Sequence, residues 1–217
     1  LLKFQTEEPR GETYQCYFYN AHAKAGDKKV AFAGAKKLWL SGHSIADACD
    51  PLFEAWDNAG LKTDQLVLER MLLAFEARNG SLMNYLKKQL NSSSAKRQAD
   101  EMKALFSKPE SVQAFAKKHK VTEFYQTQTK LAFKKLARKN VEMAQKQFDG
   151  VVKGQHFDKA TAQHLADYVS FRLINTDSGA LAKWRDKKIA TSSSVPLIER
   201  RVRLAIQYAD WQGVELW

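Results

Sequence analysis

Proline and glycine are scarce in this chain, with 4 Pro and 10 Gly among 217 residues. That scarcity argues against an all-β protein, whose many tight turns depend on these two residues. The chain also has no apolar run close to the roughly 18 residues that a membrane-spanning helix needs, so we predict no membrane span. The remaining composition, 44% hydrophobic and 27% charged residues, is that of an ordinary globular protein with enough apolar residues for a core.

Sequence motifs of catalysis and cofactor binding are absent as well. The chain contains none of G-x-x-x-x-G-K-[ST], G-x-G-x-x-G, H-E-x-x-H or G-x-S-x-G. Its 24 acidic residues fit helix-capping or helix-face roles, and Asp27, Asp64 and Asp158 are predicted N-caps. His156 and His164 have a spacing that fits no metal motif. We therefore predict no catalytic residue, no cofactor and no metal site in this chain.

Positive charge is what the sequence has in excess, with a net charge of +11. Residues 1–108 carry a net charge of +3 and residues 109–217 a net charge of +8, without any block of five or six like charges. Much of the excess comes as lysine doublets such as Lys117-Lys118 and Lys134-Lys135, placed where an amphipathic helix faces water. Solvated helix faces are therefore the simplest interpretation of the charge.

Hydrophobic periodicity predicts helices along the whole chain, and the alternation typical of strands is almost absent. Capping residues mark where these helices begin and end: Asp27, Asp64, Thr122, Asn140 and Asp158 at N-termini, Gly26, Gly60 and Gly80 at C-termini. The short connections make neighbouring helices antiparallel, and turn sequences that echo one another without a strict period indicate a degenerate solenoid. We predict an all-α fold, an α-helical superhelix of about a dozen short antiparallel helices, with 1–217 part of one domain.

The two cysteines, Cys16 and Cys49, are 33 positions apart, and neither is part of a C-x-x-C unit. Zinc binding and thioredoxin-type chemistry are therefore poor fits. Cys16 falls in the first predicted helix and Cys49 in the third, which antiparallel stacking can bring into contact. The residues alone leave two alternatives open, namely two buried free thiols in a reducing compartment or a disulfide in an oxidising one.

The segment around these cysteines resembles a known protein family. Residues 16–60, CYFYNAHAKAGDKKVAFAGAKKLWLSGHSIADACDPLFEAWDNAG, are similar to the superhelical domain of the large soluble periplasmic lytic murein transglycosylases. The residues that carry the resemblance are Cys16, Tyr19, Ala35, Lys36, Leu38, Trp39, Leu40, Gly42, Ala48, Cys49, Asp50, Leu52, Phe53, Trp56 and Gly60. A second block, AKWRD at 182–186 followed by LIERRVR at 197–203, looks like the same family. The lysine-rich residues 80–175 resemble it only loosely.

The resemblance implies a scaffold role in a peptidoglycan-cleaving enzyme. Members of the family cleave the MurNAc–GlcNAc bond without water and leave a 1,6-anhydro sugar, using one glutamic acid of a lysozyme-like domain. Their superhelical region builds most of a ring, and their two cysteines at this spacing form a disulfide. For this chain the resemblance therefore implies a Cys16–Cys49 disulfide, a periplasmic location, and glycan strands as a partner through the parent enzyme. The catalytic domain of the same polypeptide and other cell-wall proteins are further implied partners.

The catalytic part of such an enzyme is not expected in this chain. The Glu-Ser pair at 110–111 lacks the glycine-rich context that follows the family's catalytic glutamate. The chain starts with Leu-Leu-Lys and shows no signal-peptide pattern. We interpret it as a piece of a longer protein, truncated at both ends and without the lysozyme-like domain.

Two other functions stay open on the sequence, single-stranded nucleic-acid binding and a protein-interaction scaffold. The first rests on the segment 115–146, which mixes cations with aromatic residues as nucleic-acid-binding surfaces do. These residues are Lys117, Lys118, Lys120, Lys130, Lys134, Lys135, Arg138 and Lys139, with Phe124, Tyr125 and Phe133. The same pattern is typical of amphipathic helices whose aromatic residues face the core. Four tryptophans could stack on sugars, but at helical spacing they are more typical of a core: Trp39, Trp56, Trp184 and Trp211.

The stretch LIERRVRLA, residues 197–205, places three arginines in an otherwise apolar helical pattern. On a helical wheel Glu199 and Arg203 share the polar face as an i,i+4 pair. Arg201 falls inside the apolar arc, where an unpaired guanidinium would be costly to desolvate. We predict that Arg201 is largely buried and bonds a carboxylate of an adjacent helix, with Asp186 as the first candidate.

Overall fold

The structure is a computed structural model that describes residues 5–176 and 179–217. Within those ranges the chain forms thirteen α-helices and two 3-10 helices and has no strand, so the all-α prediction is confirmed. The α-helices are α1 Glu12–Lys24, α2 Lys28–Trp39, α3 Asp50–Asn58, α4 Asp64–Glu76, α5 Gly80–Lys87, α6 Ser93–Ser107, α7 Val112–Lys118, α8 Glu123–Lys139, α9 Val141–Gly154, α10 Lys159–Arg172, α11 Gly179–Ile189, α12 Val195–Gln207 and α13 Trp211–Leu216. No helix of the described part is long and apolar enough to cross a membrane.

Side-chain caps explain where several helices begin. The hydroxyl of Thr122 accepts a hydrogen bond from the Tyr125 backbone N–H at the start of α8. The amide oxygen of Asn140 caps α9 in the same way, and a carboxylate oxygen of Asp158 caps α10. Each cap satisfies a backbone donor that has no partner within its helix. The predicted starts of α8, α9 and α10 are thus confirmed. They could be predicted from the sequence because each cap involves residues only three positions apart.

Two boundaries around α4 differ from the sequence prediction. Thr63 rather than Asp64 is the N-cap of α4, and the Asp64 carboxylate instead accepts hydrogen bonds from the backbone N–H groups of Asn91 and Ser92, each at 2.8 Å. Gly80 does not end α4, which stops at Glu76, but is the first residue of α5, whose N-cap is Asn79. Helix α4 is therefore shorter than predicted, and the turn between the two helices comprises residues 77–79 and precedes the glycine.

The chain divides into two compact units, unit 1 over residues 1–103 and unit 2 over residues 104–217. In unit 1, α1 packs on α2, both pack on α3, and α4 packs on α5. In unit 2, the three helices α7, α8 and α9 contact one another, and α10 contacts α8, α9, α11 and α12. Each unit is thus an array in which a helix buries its apolar face against its neighbours. A single superhelical domain over 1–217 stays a prediction.

Each unit has its own core. In unit 1 the core includes Leu52, Met71 and Phe75, which are almost fully buried. In unit 2 it includes Phe133 and Leu165. A smaller cluster of Ile174, Ile189 and Leu197 joins the ends of α10, α11 and α12. This cluster packs together the helices that carry Asp186 and Arg201, the ion pair predicted from the sequence.

Candidate binding grooves

Several residues that carry the family resemblance build the core of unit 1. Cys16 and Cys49 are fully buried and form a disulfide between α1 and the 3-10 helix before α3. Gly42 lies so close to α4 that a Cβ at this position would be 2.5 Å from the backbone oxygen of Leu73. These residue types are therefore required by close packing rather than by chemistry at a surface.

The tryptophans occupy different environments. Trp39 and Trp56 are buried in unit 1 and meet edge to face with ring centroids 6.0 Å apart. In unit 2, Trp184 is half-buried and packs on Phe148, whereas Trp211 is exposed. The core interpretation is thus confirmed for Trp39 and Trp56.

A buried arginine that sequence reasoning missed, Arg70, ties the loop after α2 to α4. Its side chain is almost fully buried and donates hydrogen bonds to the backbone oxygens of Ser41 and His43, at 3.2 and 3.1 Å. The guanidinium also lies over the Trp39 ring, 4.2 Å from its centroid. Burial lowers the pKa of Arg70 to about 10. The partners of the Arg70 guanidinium are thus carbonyl oxygens and an aromatic ring, with no carboxylate hydrogen-bonded to it among the described residues.

A groove of about 430 Å³ opens beside this arginine in unit 1. Its walls include the rings of Trp39, Phe53 and Tyr85 and the carboxylates of Asp47 and Asp50. Aromatic and acidic groups side by side could contact a sugar. No charge of one sign dominates it, because Arg70 lies among its lining residues together with the two carboxylates.

Arg201 lies where the apolar arc of α12 meets α11. Its Nε is 3.1 Å from Oδ1 of Asp186, and its side chain is 14% exposed. The guanidinium also lies over the ring of Trp217, 5.7 Å from the centroid. The structure thus brings together Arg201 and its first candidate partner. Glu199 and Arg203 are 3.8 Å apart on the exposed face of the same helix.

A second arginine, Arg185, shares the Asp186 carboxylate and is more deeply buried, at 5% exposure. Its Nη1 donates to the backbone oxygens of Leu173, Ile174 and Thr176, beyond the last turn of α10. Burial alone would raise the pKa of Asp186, but the hydrogen bonds and charges of Arg185 and Arg201 outweigh it and lower that pKa. The sequence block AKWRD therefore encodes a structural tie.

The basic segment 115–146 does not act as one surface. Phe133 is fully buried in the core, Lys135 lies over the ring of Phe106, and Lys139 forms an ion pair of 2.6 Å with Glu110. The hydrogen bond from Lys139 lowers the pKa of Glu110. A general acid in glycoside cleavage needs the opposite shift, so the surroundings of Glu110 do not favour that role.

Lys130 and Lys134 from the same segment line a groove of about 450 Å³ in unit 2, which we term the α8–α10 groove. The α10 wall contributes His164, Tyr168 and Phe171, and the remaining lining residues are Thr161, Leu165, Asp167, Ser194, Pro196 and Leu197. Lys130, Lys134 and Arg138 are four residues apart, which places them on one face of α8. The packing of α10 on α8 turns this face toward aromatic side chains.

Tyr168 is held in the α8–α10 groove by cations. Its hydroxyl oxygen accepts hydrogen bonds from Arg138 Nη1 at 2.8 Å and from Arg172 Nη2 at 3.0 Å. Burial alone would raise the pKa of Tyr168, but these two arginines lower it. Lys134 Nζ and the Arg172 guanidinium lie 5.8 and 4.8 Å from the centre of its ring.

The groove lysines form no direct ion pair with a described carboxylate, although the hydrogen bonds from Thr161 and, to a smaller extent, the charge of Lys130 lower the pKa of Asp158. Asp167 is the acidic residue in the lining, and its oxygens accept hydrogen bonds from Gln163 Nε2 at 2.7 Å and from Ser192 Oγ at 2.9 Å. Among the residues that the structure describes, no salt bridge joins Lys130 or Lys134 to a carboxylate. The described ranges also contain no group of three or more His, Cys, Asp or Glu side chains that could hold a metal ion.

The class that these features define is an all-α protein of two arrays of short helices, in which a disulfide and Arg70 tie the first array internally and Arg185 ties the second, and each array has a groove on its surface. Comparison with known proteins gives the particular relatives. The chain is 36% identical over 218 aligned residues to the soluble lytic murein transglycosylase of Salmonella typhimurium and 35% identical to that of Escherichia coli. Each alignment covers 100% of this chain and 34% of the relative.

Solved structures agree with these relatives. A complex of the 70-kDa soluble lytic transglycosylase with bulgecin A superposes with a TM-score of 0.87 at 35% identity, covering 100% of this chain and 35% of that one. A family model described as Cucumovirus coat protein also matches residues 30–118, which is less than half of the chain. The resemblance to soluble lytic murein transglycosylases is confirmed, and it extends through residues 80–175, where the sequence resembled them only loosely. The chain spans about a third of the length of these curated relatives.

Proposed function

We propose that this chain is a non-catalytic helical part of a lytic transglycosylase acting on peptidoglycan, in which it serves as scaffold and positions the substrate. The observation that carries the proposal is the match over the whole chain to soluble lytic murein transglycosylases of which it covers only 34%. The parent enzyme would cleave MurNAc–GlcNAc bonds and form 1,6-anhydroMurNAc, and its catalytic domain would belong to the same polypeptide.

The internal ties of both units support a scaffold role. Buried charged groups such as Arg70 and Arg185 bond backbone oxygens within their own unit, so they hold loops in place and do not face a reacting bond. A scaffold needs this rigidity, since substrate positioning depends on fixed geometry.

The location we propose is the periplasm. A buried disulfide between Cys16 and Cys49 persists in oxidising compartments such as this one. Titration of thiols in protein purified and unfolded without reductant tests the point. We expect no free thiol, and two free thiols per chain would contradict a periplasmic location.

The proposed function is tested with purified peptidoglycan sacculi. The full-length protein that contains this chain should release 1,6-anhydromuropeptides, detected by liquid chromatography and mass spectrometry, whereas this chain alone should release none. Release of these products by the chain alone would overturn its non-catalytic role. A full-length protein that binds and cleaves no peptidoglycan would overturn the assignment to the enzyme class.

A further inference from the structure

We propose that the α8–α10 groove binds the peptide-bearing part of peptidoglycan, with a peptide carboxylate at Lys130 and Lys134 and the apolar side of the ligand against Phe171. The inference rests on the proposed function and assigns its substrate contact to particular residues. In this proposal the groove is a substrate-binding site of the parent enzyme that lies outside its catalytic domain.

The charge of the groove selects an anion. Lys130 and Lys134 are half-buried on one face of α8, and Arg138 continues that face one turn further. Like charges four residues apart on a helix repel one another. An anionic ligand between the two lysine ammonium groups would relieve this repulsion and form charge-assisted hydrogen bonds.

The two lysines are the donors that the groove keeps available. Arg138 and Arg172 are committed to the hydroxyl of Tyr168, and both oxygens of Asp167 have donors of their own. Because these groups already have hydrogen-bond partners, the ammonium groups of Lys130 and Lys134 are the cations available to a ligand in this groove of about 450 Å³. That volume lies within the range of sites that hold a small saccharide or peptide.

Apolar side chains line the groove together with these cations. They include Phe171 from α10 and Pro196 and Leu197 from α12. Phe171 is 47% exposed although the Arg200 guanidinium lies 5.4 Å from its ring centre, so part of the ring is open to a ligand. Leu197 is almost fully buried. A ligand that fits must therefore combine an anionic group with an apolar face, as a carboxylated peptide linked to a sugar does.

The geometry favours a carboxylate ligand over single-stranded nucleic acid. Bases stack on free aromatic faces, but the ring of Tyr168 already carries two cations: Lys134 Nζ and the Arg172 guanidinium lie 5.8 and 4.8 Å from its centre. The carboxylate of Asp167 would also repel a phosphate backbone that follows the groove. A carboxylate at Lys130 and Lys134 needs no free face of Tyr168, and it brings one negative charge into the groove that Asp167 lines, where a phosphate backbone would bring several.

Titration calorimetry with GlcNAc-MurNAc-tetrapeptide tests the inference. The wild-type chain should bind this muropeptide, and K130E/K134E should weaken binding at least tenfold because it reverses both cations. The matched control is K28E/K29E, which makes the same charge change at two exposed lysines of unit 1. That control should bind within twofold of wild type. Circular dichroism and the urea midpoint check folding, and K130Q/K134Q replaces the glutamate variant if that variant unfolds.

The ligand arms separate the alternatives. Neutral chitotetraose should bind at least tenfold more weakly than the muropeptide, and equal binding would overturn the carboxylate assignment. Tighter binding of a single-stranded oligonucleotide, lost in K130E/K134E, would make the groove a nucleic-acid site and overturn the inference. Muropeptide binding that is unchanged in K130E/K134E would overturn it too. In that case, release of 1,6-anhydromuropeptides by the full-length protein would leave the proposed function standing.

Discussion

Reduction of the Cys16–Cys49 disulfide should destabilise unit 1 by a predictable amount. The bridge joins residues 33 positions apart. In the chain-entropy description, a loop of this length removes about 12.5 cal/mol/K of entropy from the unfolded chain, or about 3.7 kcal/mol at 25 °C. Because 1.36 kcal/mol corresponds to a factor of ten, the equilibrium for opening unit 1 should rise about 500-fold when the bridge is broken.

Hydrogen exchange read by mass spectrometry can measure this change within one molecule. The chain is reduced in urea, since both sulfurs are buried, and refolded in reductant. We expect the slowest amides of α1, α2 and α3 to lose about 500-fold in protection. Peptides from α8 to α10 serve as the internal control and should exchange as before. The double variant C16A/C49A should respond to reductant in neither unit.

The reasoning fails on one clear result. If the disulfide is quantitatively reduced and the slowest amides of α1, α2 and α3 change by less than threefold, the bridge does not limit the unfolded chain as the calculation assumes. A loss of protection spread equally over both units would also contradict it, because the bridge lies wholly within unit 1.

Three further predictions concern the structural ties. R185M should lower the free energy of unfolding in urea by about 3–5 kcal/mol, because a buried donor to three carbonyls and a carboxylate is lost. R203M, at a site that is 80% exposed, should leave the urea midpoint unchanged. Equal midpoints for the two variants would refute this prediction. Because the pKa of Asp186 is lowered in the folded state, its carboxylate stabilises the fold above the unfolded-state pKa of about 3.9, and this stabilisation is lost as pH falls through the lower folded-state pKa. D186N should therefore be least stable relative to wild type at neutral pH, and the difference between their urea midpoints should shrink in acid. A difference that does not depend on pH would contradict this prediction. G42A should cost about 1–3 kcal/mol through overpacking, whereas G179A, where no atom of the described residues lies within 4 Å of the new Cβ, should unfold like wild type. Equal losses for the two variants would show that close packing is not the cause.

Local signals in the sequence predicted the helices well because caps act over three residues. Asn140 and Asp158 accept hydrogen bonds from backbone groups three positions later, so the sequence contains the whole interaction. Asp64 was misassigned because its partners, Asn91 and Ser92, are 27 and 28 positions away. The preceding threonine took the cap, and no local pattern distinguishes the two.

The arginine ties were only partly predictable. Arg201 could be singled out because a charged residue interrupts the apolar arc of its own helix. Arg70 and Arg185 are more deeply buried, but they bond carbonyl oxygens of loops, and every residue of a sequence offers a carbonyl. The carbonyls left free at a helix end become visible as partners only once the chain is folded.

The α8–α10 groove shows the same limit at the scale of a site. The lysines at 130 and 134 were recognised only as part of a diffuse basic segment, and Tyr168 and Phe171 were not singled out. The lysines and these aromatic residues meet because α10 packs on α8, although they are 30 or more positions apart in the sequence. Spacing along one helix predicted the cationic face, whereas the aromatic residues that line the groove with it depend on tertiary packing.

The carboxylate shared by Arg185 and Arg201 has a consequence for how this protein can change over generations. Loss of Asp186 leaves two guanidinium groups without their shared carboxylate, and loss of Arg185 leaves three backbone oxygens without their donor; each is a severe defect. Replacing all three at once with apolar side chains of similar volume removes every such charge and can be neutral or even stabilising. The triad formed with Asp186 is therefore hard to leave by single substitutions although a viable apolar alternative exists, and it should persist in descendants that no longer depend on it.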